Sequence, residues 1–387
     1  MWGHRGWEIG RLWGIPIVVH ASWLLVFAFV TWTLATDYLP AALPGQSDVR
    51  YWAMGGVAAL LLFVSVLLHE LGHCWVALRH HIPIGRITLF VFGGVAHMRT
   101  EPATPRAEFL IAMAGPLVSF LLAGLWLGGA CLGEAAPEAW HLRGMIVLGG
   151  LVGTVNLQIG LFNLIPGFPL DGGRALRAGL WAWSRDVDTA TKRSAGAGLV
   201  VAVILICCGV GLMLSAALET RYQSFFTTGS WVAMIGLFLF ATAKASRQHA
   251  VIRQALVRVP VRELMTQAVV AIPSDLTVET AVRAYFLPQG FSSFPVMRGE
   301  LLVGLVRLED VQHVPQSLWA WRTVQDVMRP LSPGMTVEAE EPALRAMELM
   351  RASNLDRVLV MDGERVVGLV TQSAIWRFLQ LRAGLGE

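Results

Sequence analysis

Residues 52–78 read WAMGGVAALLLFVSVLLHELGHCWVAL. An uncharged apolar run long enough to cross a bilayer leads directly into His69-Glu70-Leu71-Gly72-His73. Ionisable and imidazole side chains at membrane depth are expensive, and they mark function by default. On a helix, His69 and His73 stand four apart on one face. That spacing lets one zinc ion take both imidazoles, with Glu70 beside them to polarise a zinc-bound water. The alternative, two buried hydrogen-bonded histidines, leaves Glu70 without a reason to be there.

The rest of the chain fits a membrane setting. Of 387 residues, 55% are hydrophobic and 15% charged, which is too apolar for an ordinary soluble protein. The 15 tryptophans suit bilayer interfaces. A net charge of +3, spread along the chain, points to no nucleic-acid partner. Cys74, Cys131, Cys207 and Cys208 all lie in apolar segments without zinc-ribbon or thioredoxin spacing, so they read as small core hydrophobes. The run at about 15–35 follows Arg5 and Arg11. It is too long for a signal-peptide core and reads as a retained membrane helix.

Further spanning runs fall near 53–78, 108–131, 144–165, 195–217 and 229–245, making about six transmembrane helices. One set of connections holds Arg79, Arg86, Arg99, Arg106, Arg174, Arg177, Arg185, Lys192 and Arg193, and the opposite set only Arg50, Arg143 and Arg221. The positive-inside rule then places both termini, and the His69 end of its helix, toward the cytosol of a multi-pass cell-membrane protein. Residues 86–98, RITLFVFGGVAHM, are apolar and too short to span. They predict a re-entrant β segment buried in protein.

Beyond residue 250 charges become frequent and a repeat emerges. Residues 296–306, VMRGELLVGLV, match 360–370, VMDGERVVGLV, at eight of eleven positions with an offset of 64. Each copy reads as strand, helix, hairpin and helix, and two copies stack to bury one core. The predicted organisation is a membrane domain over 1–248, a linker over 249–257, and cytosolic α/β modules over 258–315 and 320–384.

Two imidazoles leave a zinc ion needing a third protein ligand and an open fourth position. The end of the fourth apolar helix, residues 162–174, reads FNLIPGFPLDGGR. Its prolines and glycines break the helix around Asp171 and free the backbone to aim that carboxylate at a neighbouring helix. A helix-capping carboxylate is the other reading of Asp171.

HELGH in an apolar helix followed by FNLIPGFPLDGGR resembles the site-2 protease family of intramembrane zinc metalloproteases. Gly14-Ile15-Pro16-Ile17-Val18-Val19-His20, Phe92-Gly93-Gly94-Val95-Ala96 and Ala114-Gly115-Pro116 extend the likeness. The C-terminal repeat resembles a tandem pair of CBS domains. The resemblance implies one zinc ion per chain on His69, His73 and Asp171, with Glu70 as general base. It implies that Asn163 stabilises the oxyanion, where simple helix bridging is the alternative. It implies that Gly93, Gly94 and Val95 pair with an unwound substrate strand, where a tight turn is the alternative. The implied substrate is a single-span membrane protein such as an anti-sigma factor or a membrane-tethered transcription regulator, cut by regulated intramembrane proteolysis. CBS pairs bind adenine nucleotides or support homodimers. Here the nucleotide signature is split, with Arg307 preceding Asp310 in one copy and Thr371 preceding Ala374 in the other. A CBS-gated zinc-binding transporter and a non-catalytic scaffold are the competing readings. The spans show no inverted repeat to support transport.

Overall fold

The structure, a computed structural model, describes residues 6–90, 93–134, 143–218 and 224–385, apart from positions 268, 300, 333, 354 and 364. Arg5, Phe92, Arg221, Glu300 and Glu364 lie outside the described residues. The chain divides into two compact units, Met1–Gln248 and His249–Glu387.

β1 (Gly6–Leu12) and β2 (Ile15–His20) precede six helices long and apolar enough to cross a membrane among the described residues, the last beginning in the first unit and ending past Gln248. These are α1 (Ala21–Ala42), α2 (Asp48–Arg79), α3 (Pro105–Glu134), α4 (Arg143–Asn163), α6 (Val187–Leu218) and α7 (Ser224–Val257). The shorter α5 (Asp171–Ser184) lies between α4 and α6. Large aliphatic side chains such as Leu25, Leu125, Leu132 and Leu218 stay exposed on the spans, as a lipid-facing surface requires. Small residues mark where helices meet: a Cβ on Gly153 would strike Leu127, and one on Gly209 would strike Ala233.

One expectation changes. The run read as helical from about residue 15 begins as strand β2, and its helix starts only at Ala21. Ile15, Ile17 and Val19 are buried in alternation with Pro16, Val18 and His20, so the local period is two, and β-branched residues favour it. Residues 249–257, the expected linker, are helical and form the C-terminal end of α7.

Between α2 and α3 run β3 (Ile84–Phe90) and β4 (Gly93–Met98). With the first two strands they form one sheet of order β1-β2-β3-β4, so β4 is an edge strand. Gly93 has φ +125, a conformation that glycine adopts without penalty. Ile15, Val19, Ile82, Ile84, Ile87 and Leu89 pack this sheet against Leu71, Cys74 and Ala77 of α2 and Ile111 of α3. Removing most of a fully buried isoleucine here costs about 2–5 kcal/mol. That core holds the motif-bearing helix against the sheet.

The second unit repeats one supersecondary unit. Strands Ser293–Arg298 and Leu301–Arg307 pair antiparallel in the first copy, as do Arg357–Asp362 and Arg365–Thr371 in the second. Each hairpin adds a short parallel strand, Ile272–Pro273 or Thr336–Glu338. Ser292 and Ser293 of the first copy donate hydrogen bonds to Asp356 of the second. Asp310 is held by Arg307, through Nε at 3.1 Å and Nη2 at 3.0 Å, and by Arg329 at 3.3 Å.

Candidate metal centre

α2 carries His69, Glu70 and His73 in its C-terminal third, and both histidines are buried. The third donor comes from the broken segment after α4. Close glycine packing fixes that loop. A Cβ on Gly172 would collide with the Leu164 and Ile165 carbonyls, and one on Gly198 of α6 with the Phe168 carbonyl. Ser194 Oγ of α6 donates to the Gly173 carbonyl at 2.5 Å. The loop is thereby pinned on two sides, and α5 starts at Asp171. A carboxylate in the first turn is favoured by the helix dipole.

The three side chains converge. His69 Nε2 lies 3.1 Å from Asp171 Oδ2, His73 Nε2 lies 3.2 Å from the same oxygen, and the two imidazole nitrogens are 3.2 Å apart. Among the described residues this is the one His/Cys/Asp/Glu cluster with the closeness a metal ion needs. Ligands about 2.0–2.1 Å from a tetrahedral zinc stand roughly 3.3–3.4 Å apart, so the triangle matches such an ion closely. The far ring nitrogens are also committed. His69 Nδ1 meets Ser119 Oγ at 2.8 Å, and His73 Nδ1 donates to the Ile111 carbonyl at 2.6 Å. Such outer bonds fix ring orientation and leave each Nε2 lone pair for a metal. Nitrogen and carboxylate donors in this number fit zinc, with room for a fourth ligand.

α3 backs the centre. Thr104 Oγ1 accepts the Ala107 N–H and caps its first turn, with Pro105 following. Gly115 lies directly against both imidazoles, where a Cβ would sit 2.5 Å from His69 Nε2. Glu108, fully buried one turn before Ile111, pairs with Arg177 of α5 and ties the Asp171 helix to α3. Ser119, Ile111, Gly115 and the Glu108–Arg177 pair were absent from the sequence-derived site. Only Glu108, a carboxylate at the head of an apolar run, gave a signal there.

Glu70 points to the other flank. A Cβ on Gly94 would strike its Cγ and stand 3.2 Å from its Oε1, so glycine at that position lets the carboxylate lie flat on β4. Gly93, Gly94 and Val95 occupy the edge strand, which pairs with β3 on one side and with no strand on the other among the described residues. Asn163 Nδ2 donates to the Ile159 carbonyl at 3.1 Å, one turn back on α4. Asn156 instead bridges helices, donating to Ser65 Oγ of α2 at 3.0 Å.

The chain is similar to several known proteins. Residues 57–135 and 134–208 match the model of peptidase family M50, and residues 261–316 and 324–375 match the CBS domain. Rip3 of Mycobacterium tuberculosis is 36% identical over 377 residues, covering 96% of this chain and 92% of that protein. Zinc metalloprotease MJ0392 of Methanocaldococcus jannaschii is 28% identical over 96% of this chain and 95% of its own length. The solved site-2 protease from Methanocaldococcus jannaschii is 30% identical, with a TM-score of 0.43, over 62% of this chain and 95% of that one.

Proposed function

This chain belongs to peptidase family M50, with a tandem CBS pair at its C-terminal end, and we propose that it is an intramembrane zinc metalloprotease acting on a membrane-tethered protein. One observation carries the reading: His69, His73 and Asp171, from two separate segments, converge with donor atoms 3.1–3.2 Å apart, with the Glu70 carboxylate on the same helix beside them. In this reading those three side chains hold one zinc ion, which when bound acts as a Lewis acid on the scissile carbonyl and acidifies a water.

The protein groups do the remaining work. Glu70 takes the proton of the attacking water and returns it to the leaving amine. Ser119 and the Ile111 carbonyl hold the two imidazoles in register. Asn163 is the candidate donor to the developing oxyanion, a role that requires its amide to leave the Ile159 carbonyl. A helical peptide bond is shielded by its own hydrogen bonds, so the substrate must unwind. The free edge of β4 supports strand addition at Gly93, Gly94 and Val95, beside Glu70.

The substrate is then a single-span protein such as an anti-sigma factor or a tethered transcription regulator. The active centre lies in the cytosolic half of the cell membrane, and both termini are cytosolic. The CBS pair regulates cleavage or pairs two copies. Engagement of Asp310 by Arg307 and Arg329 speaks against an adenine nucleotide in the first copy.

The test is Glu70→Gln in cells co-expressing tagged single-span candidates. Loss of the cleaved fragment, with one zinc per chain retained in the purified variant, is the expected result. Fragment release at the wild-type rate removes Glu70 as the base.

A further inference from the structure

This inference rests on the hydrolase reading above and adds a specificity determinant to it. Arg174 stands one turn after Asp171 in α5 and is partly buried. Among the described residues its one hydrogen-bond partner is Met98 Sδ, at 3.8 Å, a weak acceptor. None of the described carboxylates lies within ion-pair distance of it. The neighbouring Arg177 has taken Glu108. Arg174 also occupies the first turn of a helix, where the dipole disfavours a cation. A guanidinium that has lost water, lacks a pair and sits at the wrong helix end is costly unless a ligand completes it.

The surrounding charges agree. Asp171, Glu70 and Glu108 act on Arg174 through space, as does Arg177. With a divalent ion on the three donors, these three carboxylates and two arginines leave the corner one positive charge in excess. An anion is the missing partner.

β4 shows where that anion would come from. Gly94, Ala96 and Met98 share one face of the strand. Gly94 lies against Glu70 and Met98 against Arg174. A substrate strand added at the β4 edge would run past both, with alternate side chains on that same face. Four residues of strand span about 13 Å. We propose that Arg174 binds an acidic side chain of the substrate, roughly four residues along the strand from the bond that Glu70 attacks.

The experiment uses the full chain in lipid nanodiscs with a series of synthetic single-span peptides. Each has a Gly-Pro helix-weakening centre and one Glu placed at successive positions on the cytosolic side, with a Gln twin for each. Binding is read by fluorescence anisotropy, cleavage by mass spectrometry, and zinc content by elemental analysis. Glu peptides in one narrow window are expected to bind wild type about tenfold more tightly than their Gln twins. Arg174→Gln should erase that ratio while keeping one zinc per chain and the kcat on Gln peptides. Arg174→Lys should retain part of it, and Arg174→Glu should favour a Lys peptide at the same position. An equal Glu-to-Gln ratio in wild type and Arg174→Gln overturns the proposal, and so does zinc loss in Arg174→Gln, which would make Arg174 a support for Asp171. If wild type cuts the peptides with no dependence on Glu, only the Arg174 assignment falls. If it neither binds nor cuts any of them, the hydrolase reading falls with it.

Discussion

Gly115→Ala is a one-methyl perturbation aimed at the metal centre from behind. The added Cβ would sit 2.5 Å from His69 Nε2 and 2.6 Å from His73 Cε1. Ordinary carbon contacts begin at about 3.5 Å, so the rings or α3 must yield by roughly 1 Å. The rings are not free to move. His69 is tied to Ser119 and His73 to the Ile111 carbonyl, both on the same helix as Gly115. Zinc sites tolerate about 0.2 Å in ligand position, so the displacement is several times what the centre can absorb. Disturbing a supporting contact of this kind typically costs 10–100-fold in metal affinity. The assay is zinc competition against a chromophoric chelator with the purified protein, alongside circular dichroism to show that the helices persist. A folded Gly115→Ala protein with wild-type zinc affinity would refute the argument that Gly115 is glycine to admit the imidazoles.

Ser119→Ala removes the partner of His69 Nδ1 and should lower zinc affinity 10–100-fold without unfolding the chain, measured by the same competition. Arg177→Met leaves the fully buried Glu108 carboxylate unpaired and should cost about 3–5 kcal/mol in detergent unfolding titrations, with Glu108→Gln in the same chain recovering much of it. Burial alone would raise the Asp356 carboxyl, but hydrogen bonds from Ser292 and Ser293 and the charge of Arg357 outweigh it and hold it below the ordinary range. Its stabilisation is therefore present above pH about 4 and lost as pH falls toward the depressed value. Hydrogen exchange of the Arg357–Asp362 strand should show this acid weakening, and Asp356→Asn should flatten it.

What the sequence disclosed, and what it concealed, follows from cost. Two imidazoles and a glutamate in an apolar run, and a carboxylate in a proline-broken one, have few reasons to exist at membrane depth. His69 and Asp171 were therefore legible although 102 positions separate them. The C-terminal duplication was equally open because identity at a fixed offset needs no structure to detect. Ser119 and Gly115 were hidden because small residues in an apolar helix serve helix packing far more often than a metal site. The β1–β2 hairpin was hidden because Ile15–Val19 merges with the helix that follows, and hydropathy alone does not separate a two-residue period from a helical one. Asn163 was read as a site residue through the family resemblance, and in the fold its Nδ2 donates to the Ile159 carbonyl, the bond it must release to meet an oxyanion.

The bond between Ser292 and Asp356 joins two residues that are 64 positions apart, the same interval as the duplication itself. They are each other's counterparts in the two copies. If two identical modules met through this same contact, each residue would face its own duplicate, and an aspartate would oppose an aspartate. Fusing the halves into one polypeptide lifted that constraint. One half became the donor and the other the acceptor, so the join is a complementary lock that two interchangeable copies of either half could not form.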